Sequence, residues 1–319
     1  MLVKQLSSSL TFSGRSSTAI VALLGAVAIW GFNILVVKEA VTVWPQIPFI
    51  AVRFWIATLA FIPFLDWDRM RDLCADGRVF RTAIAAGAAL FLAYVMQATG
   101  FKDTSIANGA FLTALFVIFV PIIQATVSRR LPPLHELAGC IVASVGTAIL
   151  VGGAWVLPQR ADVLVIGSAI MYACQIVIVG SMPARVRSID FTVIQLATIA
   201  VGATAASIPA VIAGVVPMPS ETVLIDALFA GLFASSLAYF LQAFAQRRLT
   251  TAQAAVIFTL EPVFAVMAGV ALAQDAASLR TIVGGAVIVG ATILCTHPYF
   301  MRRAELRVEA SCGSTEPQH

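Results

Sequence analysis

Ten stretches of the chain are almost wholly apolar, at about 18–38, 47–65, 81–101, 105–127, 134–156, 162–182, 191–215, 224–246, 250–273 and 278–300. Each is close to the roughly 20 residues a helix needs to cross a bilayer. The polar segments between them are short. The longest, 66–81, carries charges of both signs. Lipid leaves no partner for a bare backbone group, so only helices or closed barrels span a membrane. The pattern predicts an all-α polytopic membrane protein with ten transmembrane helices. Residues 1–17 (MLVKQLSSSLTFSGRSS) read as a loose polar tail, as does the segment 301–319. The first run imitates a signal peptide, with Ala26-Val27-Ala28 in the place of a cleavage site. It continues to Val37 and has an internal copy, so cleavage is not expected.

Composition agrees with this reading. Of 319 residues, 60% are hydrophobic and 11% are charged, against about 25% charged in soluble domains. The net charge of +4 is small, and its distribution says more. If the first tail is cytoplasmic, that side carries Lys4, Arg15, Arg69, Arg71, Arg78, Arg81, Arg129, Arg130, Arg185, Arg187, Arg247, Arg248, Arg302, Arg303 and Arg307. The other side has Lys38, Lys102, Arg160 and Arg280, and Arg53 lies inside a run. The positive-inside rule then predicts both termini in the cytoplasm. These basic residues are scattered in pairs and form no patch for nucleic acid. The five cysteines, 74, 140, 174, 295 and 312, show no metal-ligand or redox spacing. His135, His297 and His319 sit at loop or tail positions, and there is no HExxH, Gly-x-Ser-x-Gly or Walker sequence. No enzyme activity, cofactor or metal is expected, and no nucleotide-driven pump on this chain.

The chain also repeats itself. Trp30-Gly31-Phe32-Asn33 parallels Tyr172-Ala173-Cys174-Gln175, and Ala51-Val52-Arg53-Phe54 parallels Val193-Ile194-Gln195-Leu196, both about 142 residues on. Ala93-Tyr94-Val95-Met96-Gln97-Ala98 returns as Ala238-Tyr239-Phe240-Leu241-Gln242-Ala243, about 145 on. Ala107-Asn108-Gly109-Ala110 returns as Ala252-Gln253-Ala254-Ala255, and Gly146-Thr147-Ala148-Ile149-Leu150 resembles Gly290-Ala291-Thr292-Ile293-Leu294. The boundaries are therefore a tail (1–17), a first five-helix repeat (18–156), a second (157–300) and a tail (301–319). Five spans per repeat make the second copy enter from the opposite side. Two inverted five-helix repeats are a common architecture of secondary transporters, with the binding site at the midplane between them.

These residues resemble the EamA-type transporters of the drug/metabolite transporter superfamily. The resemblance is carried by Trp30-Gly31-Phe32-Asn33, Ala51-Val52-Arg53-Phe54, Thr104-Ser105-Ile106-Ala107-Asn108, Leu260-Glu261-Pro262-Val263-Phe264 and the Gly-rich helix closing each half. It spans about residues 18–300. It implies ten helices in two repeats, a central cavity lined by both halves, and export or exchange of a small metabolite. Two positions depart from the family pattern. Leu115-Phe116 stands near where the second repeat has Glu261-Pro262, and Gln274-Asp275 replaces the usual Gly-Glu after the ninth helix.

Glu261 is the first candidate for chemistry, because no other Asp, Glu or Lys lies so deep in an apolar run. An intramembrane carboxylate costs several kcal/mol unless protonated, paired or facing water. It can carry a proton or bind a cationic group, or serve as a structural partner beside the Pro262 kink. Arg53 is the second: it can hold a carboxylate or phosphate by bidentate bonds, or snorkel to the outer interface. Trp30, Asn33, Tyr94, Gln97, Asn108, Tyr172, Gln175, Tyr239, Gln242 and Gln253 follow as repeat-paired lining of a polar and aromatic cavity, or as interhelical hydrogen bonds without substrate contact. Trp44, Trp55, Trp67 and Trp155 read as interfacial anchors. Pro121 and Pro262 stand at unlike places in the fourth and ninth runs, so the halves need not bend identically. The expected function is a secondary transporter of a bacterial inner membrane, moving an amino acid or drug-like metabolite by alternating access, with Glu261 as a proton-coupling or recognition residue. The alternatives are an uptake carrier, an uncoupled facilitator, or a scaffold or sensor without flux. The expected partners are a small-molecule substrate and the lipid bilayer, with a homodimer as a candidate assembly.

Overall fold

The computed structural model describes residues 2–104, 106–129, 131–152, 160–272 and 278–297. Trp155, Gln274-Asp275, Cys312, His319 and the segment 301–319 lie outside the described residues. Among those described, ten helical passages are long and apolar enough to cross a membrane, and each coincides with one apolar run. The first lies in α1 (Leu2–Val43) and the second in α2 (Gln46–Leu59). A short interfacial helix, α3 (Trp67–Ala75), precedes the third, α4 (Gly77–Gly100). The fourth is split into α5 (Ile106–Ala114) and α6 (Phe116–Ser128), and the fifth is α7 (Leu134–Val151). Then follow α8 (Arg160–Gly180) and α9 (Ser188–Ile212). The eighth span runs through α10 (Glu221–Phe229), a π-helical stretch (Ala230–Leu237) and α11 (Ala238–Gln246). The ninth is split into α12 (Thr251–Phe258) and α13 (Glu261–Leu272), and α14 (Leu279–Thr296) closes the chain.

One expectation is corrected at the start. Residues 2–17 do not form a loose tail: they continue α1. Nothing in MLVKQLSSSLTFSGRSS interrupts a helix except Gly14, and extending an existing helix needs no new nucleus. Elsewhere the boundaries follow local chemistry. Asp66, Asp76, Ser220, Thr250 and Ser278 accept from first-turn amides at the starts of α3, α4, α10, α12 and α14. Thr250 and Gln253 form a reciprocal capping box.

The packing itself has the symmetry of two inverted repeats. α7 lies along α14, and α2 along α9, each pairing an element with its repeat counterpart. α4 packs on α8 while α11 packs on α1, and α6 packs on α8 while α13 packs on α1. Exchanging the halves leaves this pattern unchanged. The halves therefore interlock, so neither buries its apolar surface alone. The two ends of the ten-span region lie on one side of the bundle, called here the terminal side, and loop contacts respect the alternation. On the terminal side Arg185 pairs with Asp76, and Arg247 donates to the Ala184 carbonyl. On the far side the Trp44 indole donates to the Pro217 carbonyl at 2.8 Å. Trp44 is buried among Phe49, Val223 and Ala227, so it ties two loops together and is not a lipid-facing anchor.

The Asp76 contact carries a pH prediction. The hydrogen bond from Arg185, then the Val79 amide, hold the Asp76 carboxyl below its ordinary value of 3.8. A folded-state value below the unfolded one contributes stability above the ordinary value, and that contribution is lost on acidification through the depressed one. Asp76→Asn is expected to lower the thermal midpoint of the detergent-solubilised protein modestly at neutral pH. It should also flatten the fall in midpoint below about pH 4; thermal unfolding followed across pH checks it.

The spans that differ most from regular helices are the fourth, eighth and ninth. The fourth breaks at Leu115 and the ninth at Thr259-Leu260, so that Phe116 and Glu261 open the second half-helices at matching positions, 145 residues apart. Neither break falls at a proline. Pro121 sits inside α6 without breaking it. Pro262 is the second residue of α13, where a missing N–H costs nothing.

Candidate functional site

The break in the ninth span puts Glu261 in the first turn of a half-helix inside the bundle. First-turn amides have no intrahelical acceptor, and the helix dipole places partial positive charge there. This is the local feature that lets a carboxylate sit within the membrane. Glu261 is half-buried, and it makes no hydrogen bond or ion pair among the described residues. The charge acting on it is Arg53. The two are within Coulombic reach but do not form a contact ion pair.

α1 crosses this half-helix at Gly31. A Cβ there would lie 2.7 Å from Cβ of Phe264, 2.8 Å from the Ala265 nitrogen and 2.9 Å from the Glu261 carbonyl oxygen. Two of those atoms are backbone and cannot move without shifting α13. Gly31→Val is therefore expected to destabilise by about 1–3 kcal/mol, as overpacking does, and to displace Glu261. Thermal unfolding of the purified variant checks the first effect.

Arg53 does not snorkel. It is buried, with Nε donating to Ser235 Oγ at 2.6 Å and Nη2 to the Ala234 carbonyl at 3.3 Å. Its guanidinium lies 5.3 Å from the Phe54 ring centre and 5.9 Å from that of Tyr94. The Trp30 indole donates to the same Ala234 carbonyl at 2.8 Å. Ala234 and Ser235 belong to the π-helical stretch, and the Ala234 carbonyl takes both of these side-chain donors. Ser236 bonds across to the Ala57 carbonyl at 3.0 Å, fixing this stretch on α2. The equivalent part of the first repeat lies inside the regular helix α4, so the π stretch belongs to one half only.

Around these charges the repeat-paired aromatics form one cluster. The Tyr94 and Tyr239 hydroxyls, related by the repeat, bond to each other at 2.8 Å across the pseudo-twofold axis. Trp30 packs on Tyr239 with centroids 5.2 Å apart, and its repeat counterpart Tyr172 packs on Tyr94 at 6.0 Å. Phe54 and Phe258 complete the cluster. Tyr172 donates to Gln97 Oε1 at 2.9 Å, and Gln97 donates to Thr113 at 3.2 Å. Asn33 is buried on α1, its Oδ1 without a partner among the described residues.

The other candidates make their bonds elsewhere. Gln175 and Gln242 join Gln195 and Gln246 in a buried amide cluster, with Gln242 Nε2 at 3.1 Å from Gln175 Oε1 and 2.9 Å from Gln246 Oε1. Asn108 donates to Asp162 at 2.8 Å on the far side. Gln253 donates to the Cys295 carbonyl at 3.1 Å near the terminal side. The structure thus brings together Glu261, Arg53, Trp30, Tyr94, Gln97, Tyr172 and Tyr239. A separate apolar groove of about 450 Å³, lined by Trp44, Pro48, Trp55, Thr204 and Ile212, contains none of the candidates. Sequence reasoning missed Ser235, Phe54 and Phe258. Ser235-Ser236 was a legible signal, being a hydroxyl pair inside an otherwise apolar run.

Comparisons with known proteins agree with this architecture. A transporter described as uncharacterized from Archaeoglobus fulgidus is 28% identical over 275 residues, covering 83% of this chain and 82% of its own. A solved crystal structure superimposes with a TM-score of 0.70 over 88% of this chain and 98% of its own, and at 16% identity shows the fold alone. The model of the EamA-like transporter family matches twice, at residues 17–152 and 159–296, once on each five-span repeat. By that match the protein is a multi-pass membrane transporter belonging to the EamA-like transporter family.

Proposed function

We propose that this chain is a secondary transporter of a bacterial inner membrane, with both termini cytoplasmic, that exports or exchanges a small organic metabolite by alternating access. The orientation rests on the bias of Lys and Arg to the terminal side. The observation that carries the reading is the pair of opposite charges within the membrane, Glu261 with no hydrogen bond or ion pair and Arg53 with Nη1 unbonded among the described residues, beside a ring of repeat-paired aromatics. A zwitterion such as an amino acid suits them. Its carboxylate meets Arg53, its ammonium meets Glu261, and an apolar side chain packs on Trp30, Phe54 and Tyr94. With the substrate gone, a proton on Glu261 lowers the cost of the empty carboxylate. The same group thereby couples transport to a proton gradient.

The test uses a background in which all five cysteines are alanine and a single reporter is added, Gln97→Cys. A membrane-impermeant maleimide is applied to intact cells and to inside-out vesicles. Labelling from both preparations is the expected result. Protection from both sides would mean a packed bundle and would overturn the reading.

A further inference from the structure

Each split helix begins at a membrane face, and there a buried acid from a neighbouring span holds it. On the far side, Asp162 at the start of α8 accepts from Thr104 at 2.9 Å and from Asn108 at 2.8 Å, both at the entrance to the fourth span. On the terminal side, Glu136 at the start of α7 accepts from Thr250, the N-cap of α12, at 2.8 Å. Asp162 is 3% exposed and Glu136 2%. The donors come from the start of each split helix but not from equivalent positions: at the repeat offset of 145, Thr250 corresponds to Ser105, and Asn108 to Gln253, which donates instead to the Cys295 carbonyl. The acids are not counterparts either: at the repeat offsets, Asp162 corresponds to Ile20 and Glu136 to Arg280. The same arrangement is therefore reached at the two faces from unrelated positions, which duplication of the repeat alone does not explain. An uncapped helix start could be satisfied by its own Ser or Thr, as α10 and α14 are by Ser220 and Ser278. A buried carboxyl group from another span adds a hydrogen bond between helices.

The split helices also carry the site. α12 leads from the Glu136 contact to Phe258 and the break before Glu261, and α5 leads from the Asp162 contact to Thr113, which holds Gln97. We propose that Asp162 and Glu136 are positioning residues acting as paired latches: Asp162 keeps the far face closed and Glu136 keeps the terminal face closed. This rests on the alternating-access reading above. Both latches are fastened in this structure. Opening either face requires swinging the start of one split helix away from its acid while the other stays held. Hydrogen bonds between buried groups supply closure without a large interface, and water or lipid headgroups can replace them once the face opens.

The test compares the two faces in the Gln97→Cys, otherwise cysteine-free background. Asp162→Val removes the acceptor on the far side, and Glu136→Met removes the one on the terminal side at similar volume. Labelling of the reporter in Asp162→Val is expected to rise about tenfold from outside intact cells, the value of one or two such bonds, and to fall in inside-out vesicles. Glu136→Met is expected to do the reverse. Thr104→Val and Thr250→Val remove the donors and should shift the reporter in the same directions as the acids they face. Equal labelling ratios in all variants and the parent, where the parent is labelled from both sides, would overturn the latches and leave alternating access standing. Failure to label the parent from either side would overturn the transport reading instead. A variant that elutes as aggregate is replaced by its donor-side partner, so each latch is judged on a folded protein.

Discussion

Glu261→Gln is expected to lower transport by about 10- to 100-fold while the protein is still made, inserted and folded. The carboxylate makes no hydrogen bond or ion pair among the described residues, so the substitution breaks no structural bond. Glutamine keeps the size and the ability to accept from the first-turn amides of α13. What is lost is the negative charge and the titratable proton. A hydrogen bond to a charged partner contributes about 1.5–3 kcal/mol, which converts to the fold-change given. The rate in the wild type is expected to change with pH as the carboxyl takes up and releases its proton, and the residual rate in Glu261→Gln to be flat. Rates in energised vesicles across pH, normalised to the amount of folded protein, check both statements.

Arg53→Ala is expected to damage stability and transport together, which separates it from Glu261→Gln. The guanidinium ties α2 to the π-helical stretch through Ser235 and the Ala234 carbonyl. Ala234 keeps the Trp30 indole, but Ser235 is fully buried and would lose its partner. Leaving a buried polar group unsatisfied costs about 1–3 kcal/mol. Arg53→Lys keeps the charge but not the planar fork or its stacking on Phe54 and Tyr94, so it should recover only part of the stability. If both residues hold one substrate, their effects on transport will not add: the double variant Arg53→Lys with Glu261→Gln should be little worse than the poorer single variant. Thermal unfolding and transport rates across that cycle check the set.

The ten spans were legible because lipid allows one solution for a long apolar run. The inverted repeat was legible because small motifs return in order at a constant offset. Glu261, Arg53 and the four repeat-paired aromatics could be found for a related reason: charge and ring size are conspicuous against an apolar background. What could not be read was how each polar group is satisfied. Arg53 could equally have snorkelled, and its burial depends on a π-helical stretch in the eighth span, where the Ser235-Ser236 pair marks a polar spot but not the change of helix type. Pro121 and Pro262 left open whether the halves bend alike; both split helices break at matching positions, neither of them at a proline. Gln175 and Gln97 look alike in their runs, but one joins an amide cluster and the other bonds Tyr172. That difference arises from which helices meet, and tertiary contacts of this kind leave no trace in one sequence. Asp162 and Glu136 were visible only as acids at run ends.

The most direct test of transport by these charges is metabolite release from cells overproducing the wild type, the Glu261→Gln variant, or neither. Release of one class of small zwitterionic metabolite is expected to be faster with the wild type alone, with the variant present in the membrane in equal amount. Equal release by the wild type and the variant, or no difference from cells without the protein, would contradict the account.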